Sequence, residues 1–185
     1  MLGERVSDRR TQGIDETVKP HRYRFRRTWF VDAAPRDVFE LLYLVPRYPG
    51  WWPEIRDVRR IDAERFSLTI HSVLPYGLEI ELSRRVVDRQ SGVLEAAMAG
   101  DLAGISAWRV DPEGVGARVR FAEDARVARR RLQALEPFAI PAFIANHALM
   151  MRSCERGLRA AATGMRVADG TTELPVRSRR SRASK

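Results

Sequence analysis

Residues 138–162 read FAIPAFIANHALMMRSCERGLRAAA, and this stretch decides the architecture. Ile140, Phe143, Ile144, His147, Met150, Met151, Cys154, Leu158 and Ala161 recur at helical spacing and mark one stripe. Arg152, Glu155, Arg156 and Arg159 take the opposite side. Such a helix is about 37 Å long, enough to lie across an entire sheet. Pro141 is compatible only with a first turn, so residues 134–140 are expected to form a separate short turn. Past Gly164 the apolar pattern stops.

Upstream of this helix the period changes from helical to alternating. Tyr23, Phe25, Trp29 and Val31 share one face of a strand, with Arg24, Arg26 and Thr28 on the other. Pro35 then opens a helix at a position where its missing N–H costs nothing, Val38, Leu41, Leu42 and Val45 follow at helical spacing, and Pro46 closes it. The segment RYPGWWPEIRDV, rich in proline, predicts a second short helix or tight loop. A short, mixed strand over Ile55–Ile61 comes next. Further alternating runs carry Phe66, Leu68, Ile70 and Ser72, then Leu78, Ile80 and Leu82, then Leu94, Ala96 and Met98 on their inner faces. Ser106, Trp108 and Val110 follow, and last Val119, Phe121, Ala125 and Val127. Turn sequences such as Leu74-Pro75-Tyr76-Gly77 and Asp111-Pro112-Glu113-Gly114 separate them, the spacing of an antiparallel meander. Gly100, Gly104, Gly114 and Gly116 are expected at strand ends, serving turns.

Charge and composition exclude several classes. The chain has 185 residues, 44% hydrophobic and 31% charged, an ordinary globular balance for one domain. Residues 21–165 are expected to form that domain, with residues 1–20 a disordered leader and residues 166–185 a basic, disordered tail. No run approaches the ~18 apolar residues of a membrane span, and the N-terminus has no apolar core of a secretory signal, so no integral membrane association is expected. Cys154 is the single cysteine, which fits a reducing, cytoplasmic setting. With His21, His71 and His147 far apart in sequence, no metal site and no cofactor are expected. The net charge of +9 includes five positive charges in the last ten residues, VRSRRSRASK. Nucleic acid is therefore not expected as a partner, except weakly through that tail.

The stretches FRRTWFVDAAPRDVFELL, YPGWWPEI, LPYGLEIEL, GDLAGISAW and NHALMMRSCERGL, in this order over residues 23–162, resemble the START-like, birch-pollen-allergen-like (SRPBCC) superfamily, in its polyketide cyclase/dehydrase and lipid transport branch. The resemblance implies an α+β helix-grip fold. In it a curved antiparallel sheet of about six to seven strands wraps around the long C-terminal helix, with two short helices after the first strand. It also implies a deep cavity between sheet and helix that binds an apolar small molecule such as a lipid, quinone or polyketide-like aromatic. A polyketide cyclase or dehydratase working in the same cavity is the alternative, and an adaptor or regulator acting through the basic tail is a further one.

Within that frame Ile70, Ile80, Ala96, Met98 and Phe121 on the strands, with Phe143, His147 and Met151 on the helix, are expected to contact ligand. Trp51 and Trp52 follow a Pro-Gly turn near the expected mouth and either cap a ligand or close the core. Trp29 and Trp108 face inward as candidate ligand contacts, and are also large enough to be core filling. Tyr48 and Tyr76 are rim candidates. His147, Glu123 and Arg27 are the polar residues on inner faces and the candidates for chemistry. A neutral imidazole at His147 orients a ligand carbonyl or serves as a base, unless a backbone or hydroxyl partner satisfies it. Arg27 and Glu123 lie on strands that are neighbours in this fold, so they are placed to meet, since an unpaired buried charge is costly. Glu79, Glu81 and His71 alternate to the outer face, and Arg129-Arg130-Arg131 reads as a solvated connection.

Overall fold

The structure, a computed structural model, describes residues 22–73, 77–128 and 136–170, with side chains of the last segment from Ile140 to Met165. Among these residues seven strands form one antiparallel sheet in the order β1-β7-β6-β5-β4-β3-β2. They are β1 (Arg22–Val31), β2 (Ile55–Arg60), β3 (Arg65–Ile70), β4 (Leu78–Asp88), β5 (Val93–Gly100), β6 (Leu102–Glu113) and β7 (Gly116–Val127). Every pairing but β1–β7 joins neighbours in sequence, as a meander does. Helix α1 (Pro35–Tyr43) and a 3₁₀ turn over Val45–Gly50 link β1 to β2, and helix α2 (Glu136–Gly170) follows β7. The expected leader, residues 171–185 of the basic tail, Tyr76 and the Arg129-Arg130-Arg131 run lie outside the described residues, whereas residues 166–170, expected in that tail, continue helix α2.

The alternation read from sequence matches the buried faces. Tyr23, Trp29, Val31, Phe66, Leu68, Leu78, Ile80, Leu94, Met98, Trp108, Phe121 and Ala125 are buried, while Glu79 and His71 are exposed. On the convex face Arg22 and Arg24 meet Asp124, Arg109 and Arg120 meet Asp111, and Arg118 meets Glu113. Much of the positive charge on these strands is thereby neutralised locally.

Two expectations are corrected. Helix α2 begins at Glu136 and ends at Gly170, so residues 136–140 belong to it rather than to a separate turn. Pro141 removes only its own N–H, and the i−4 bond thus lost lies within two turns of the helix start. The packing of the following stripe outweighs the missing bond. Gly104 lies inside β6 and not at a strand end. A Cβ there would stand 2.0 Å from the Asp124 carbonyl oxygen, so its bareness lets β6 and β7 approach closely.

Gly157 has the same role in helix placement. A Cβ on Gly157 would lie 1.6 Å from the backbone oxygen of Trp51. The missing side chain lets α2 seat directly on the residue that follows the 3₁₀ turn, and Met151, Cys154, Leu158 and Ala162 are all but fully buried on that side.

Candidate functional site

A row of residues crosses the concave face where the buried apolar side chains divide into two clusters. Arg84 on β4 pairs with Ala96 on β5, Ala96 with Ser106 on β6, Ser106 with Glu123 on β7, and Glu123 with Phe25 on β1. One neighbouring row, Leu94, Trp108 and Phe121, is bulky; the other carries Leu82 and Met98 and continues as Gly104 and Ala125. The small residues Ala96 and Ser106 in mid-sheet, with Gly104 beside them, leave space that side chains do not fill. The result is a cavity of about 120 Å³. That is of the order of the ~150 Å³ engineered apolar cavity that takes up benzene or xenon.

Helix α2 forms the roof. Phe143, Asn146, His147, Met150 and Met151 fall on one helical face and line the cavity. Trp52, Trp108 and Phe121 supply aromatic wall, and Ile70, Ile80, Ala96 and Met98 line it from the strands. Trp29 and Trp51, expected as ligand contacts, are instead core. Trp29 stands edge-on to Trp108 at 6.0 Å, one row behind the wall. Trp51 packs between Tyr48 and Trp52 at 5.0 and 5.8 Å, and Gly157 of α2 covers its carbonyl.

The polar residues split between the two ends. At one end the Arg84 guanidinium donates to the Tyr43 carbonyl oxygen at 2.8 Å and to the Ala63 carbonyl oxygen at 3.3 Å. It stands 4.1 Å from the centroid of the Tyr43 ring and 4.8 Å from that of Phe66, so its donors and its charge are already engaged. At the other end Glu123 and His147 approach, with Oε1 3.8 Å from Nε2, too long for a hydrogen bond. The imidazole lies parallel to the Phe25 ring, with centroids 3.6 Å apart, and 6.3 Å from Phe121. His147 is 6% exposed and Asn146 5%. Both ring nitrogens of His147, Oδ1 of Asn146 and Nε1 of Trp52 are buried without a hydrogen-bond partner among the described residues.

The expected meeting of Arg27 with Glu123 does not occur. Register is the reason: Glu123 lies opposite Phe25, while Arg27 lies opposite Phe121, one row away on the edge strand. From that edge the Arg27 side chain reaches solvent. Among the described residues no group of three or more His, Cys, Asp or Glu is arranged to hold a metal ion.

No protein-family model and no curated protein matches this chain. Solved structures do match. The chain is similar to the Zhui aromatase/cyclase from Streptomyces sp. R1128 at 14% identity and TM-score 0.71, over 81% of this chain and 99% of that one. It is similar to a protein from Thermus thermophilus at 14% identity and TM-score 0.67, over 77% and 99%. A START superfamily protein from Mycobacterium smegmatis matches at 11% identity and TM-score 0.60, over 77% and 98%. The fold is the helix-grip fold that these structures share.

Several lining residues of this helix-grip chain escaped the sequence reading. Arg84 continues the alternation Leu78, Ile80, Leu82 by one step and was within reach of it. Ser106 shares the face of Trp108, and its importance lies in its size beside Ala96, which only the strand register reveals. Asn146 sits three residues after Phe143 and next to His147, a position that helical spacing places at the border of the stripe. Tyr48 lines the cavity, but its hydroxyl donates to the Leu42 carbonyl oxygen at 2.6 Å and holds α1 to the 3₁₀ turn.

Burial pushes the Tyr48 phenol well above its ordinary value, and the nearby Cys154 adds to the effect; burial also raises the Cys154 thiol. A phenol kept neutral in the fold contributes stability that is fully present below its unfolded pKa of about 10 and declines as pH climbs above it. The Tyr48→Phe protein is expected to lose about 1–3 kcal/mol at neutral pH, from the unsatisfied Leu42 carbonyl. It should also show a shallower fall in thermal midpoint above about pH 10 than the parent. Parallel alkaline declines in the two proteins would show that Tyr48 ionisation is not the cause.

Proposed function

We propose that this protein binds an apolar small molecule, such as a lipid, quinone or polyketide-like aromatic, in the cavity between sheet and helix α2. The observation that carries this reading is the unfilled space over Ala96 and Ser106, walled by Trp52, Trp108, Phe121, Phe143 and Met151. Apolar cavities with a few convergent polar groups are the usual form of small-molecule sites. Native mass spectrometry of gently purified protein tests it directly. An adduct of defined mass, lost on mild activation, is the expected result; bare protein throughout, together with no uptake of added aromatic compounds, would refute it.

The approach of His147 and Glu123 inside the cavity favours a second reading, proton transfer on a bound substrate as in a cyclase or dehydratase. The aromatase/cyclase similarity in fold is consistent with this and no more. The His147→Phe protein separates the two, since ring volume is roughly conserved. Loss of one hydrogen bond to ligand lowers affinity by up to about tenfold, whereas loss of a proton-transfer group lowers a rate by about 100-fold or more. If His147 served only to hold the fold, the substitution would change stability and leave affinity per folded molecule as it was. An adaptor role through the basic tail concerns residues outside the described structure. It requires a salt-dependent interaction with nucleic acid that disappears on deleting residues 176–185.

A further inference from the structure

We infer that the Glu123–His147–Asn146 end of the cavity recognises a neutral hydroxyl group on an aromatic ring, and that it discriminates against a carboxylate; the inference rests on the cavity being a ligand site. Three polar groups converge there from two elements, Glu123 from β7 and Asn146 and His147 from α2, and among the described residues neither ring nitrogen of His147 nor Oδ1 of Asn146 has a hydrogen-bond partner. Their hydrogen-bonding capacities are unequal. Asn146 accepts at Oδ1 and donates at Nδ2, a carboxylate at Glu123 only accepts, and a neutral imidazole offers one donor and one acceptor. Between Glu123 and His147 the complementary ligand group must donate a hydrogen to the carboxylate while accepting one from the ring. A hydroxyl does both. Its oxygen can stand about 2.8 Å from each of two atoms that are 3.8 Å apart, donating to Oε1 of Glu123 and accepting from an Nε2–H of His147.

Charge selects in the same direction. Glu123 places a carboxylate at this end of the cavity. No cation of the described residues compensates it: Arg27 reaches solvent at the sheet edge, and Arg84 lies three strand spacings away, about 14 Å, with its donors already on Tyr43 and Ala63. A ligand carboxylate at this end would be desolvated beside a group of its own sign. A ligand ammonium would pair with Glu123 but has no lone pair for His147 to donate to. The stacking of the imidazole on Phe25 leaves its edge, not its face, for ligand contact.

Single-ring probes suit a cavity of this size. The affinities of 4-ethylphenol, ethylbenzene, 4-ethylbenzoate and 4-ethylbenzylammonium are measured by titration of the methionine methyl resonances, since Met98, Met150 and Met151 line the cavity. The expected order places 4-ethylphenol about tenfold tighter than ethylbenzene, with 4-ethylbenzoate weaker than both. Glu123→Gln, which keeps size and removes the acid, should narrow the gap between phenol and benzoate several-fold. His147→Phe should bring phenol to the level of ethylbenzene, and Asn146→Leu supplies a second check if either variant fails to fold. Equal binding of ethylbenzene and 4-ethylphenol would overturn the inference while leaving the cavity reading intact. Tightest binding by the benzoate, through Arg84, or by the ammonium would overturn it likewise. Absence of binding by all four would remove both.

Discussion

Gly157→Ala lowers the thermal midpoint by roughly 6–12 °C. The added methyl would start 1.6 Å from the Trp51 backbone oxygen, less than half an ordinary contact distance. Neither partner yields easily: one atom is main chain, and the other sits on a helix whose flanking residues Cys154 and Leu158 have no exposed surface. The helix must therefore lift away, opening its contacts with Trp51 and with helix α1. Overpacking of this kind costs about 3 kcal/mol, which converts to that midpoint shift for a domain of this size. In isolation Ala is the better helix former by about 1 kcal/mol, so the sign of the change measures packing against propensity. A midpoint equal to or above the parent's would mean that α2 does not approach Trp51 as closely as described.

Ala96→Phe abolishes ligand uptake and leaves the fold at least as stable as the parent. Ala96 is the floor of the cavity, between Arg84 and Ser106 in the strand register, and a benzyl side chain there projects into the empty space. Filling a void with apolar surface contributes up to about 1.5–3 kcal/mol, against about 1–3 kcal/mol lost when a ring is forced into a packed core. Thermal melts combined with binding of ethylbenzene and 4-ethylphenol decide between these. A large drop in midpoint, in a protein whose parent shows no uptake, would establish a closed core.

The elements and faces of this fold were legible because each is written as a local period. Leu78, Ile80 and Leu82 identify their inner face with no knowledge of the neighbouring strands, and the stripe from Phe143 to Leu158 does the same for the helix. The apolar lining, such as Ile70, Ile80 and Phe143, was legible from the inner faces, and the polar residues His147 and Glu123 because each stands out against its own stripe. The site's location depends on rows that run across strands, and those rows depend on register. Ala96 and Ser106 are ordinary along their own strands and form a floor only when paired. Register also misdirected the Arg27 reading, since a displacement of two residues along β1 separates an internal ion pair from a solvated edge charge. Trp29 and Trp51 failed for another reason. An inward-facing indole fills core or lines a cavity according to what stands in front of it, and Trp108 and Trp52 occupy that place.

Contact between Gly157 and Trp51 also sets the mechanics of α2. A beam held fast at one point turns small rotations into large displacements farther along, and His147 lies ten residues from that point, a lever arm of about 15 Å. A tilt of about 5° about Gly157 moves the imidazole by about 1.3 Å, roughly the difference between a hydrogen bond and an open gap. Among the described residues no side-chain hydrogen bond ties His147 or Oδ1 of Asn146 to the sheet, so such a tilt would break none there. The bare backbone at Gly157 would thus serve as a fulcrum, with the proposed ligand contacts on the longer arm.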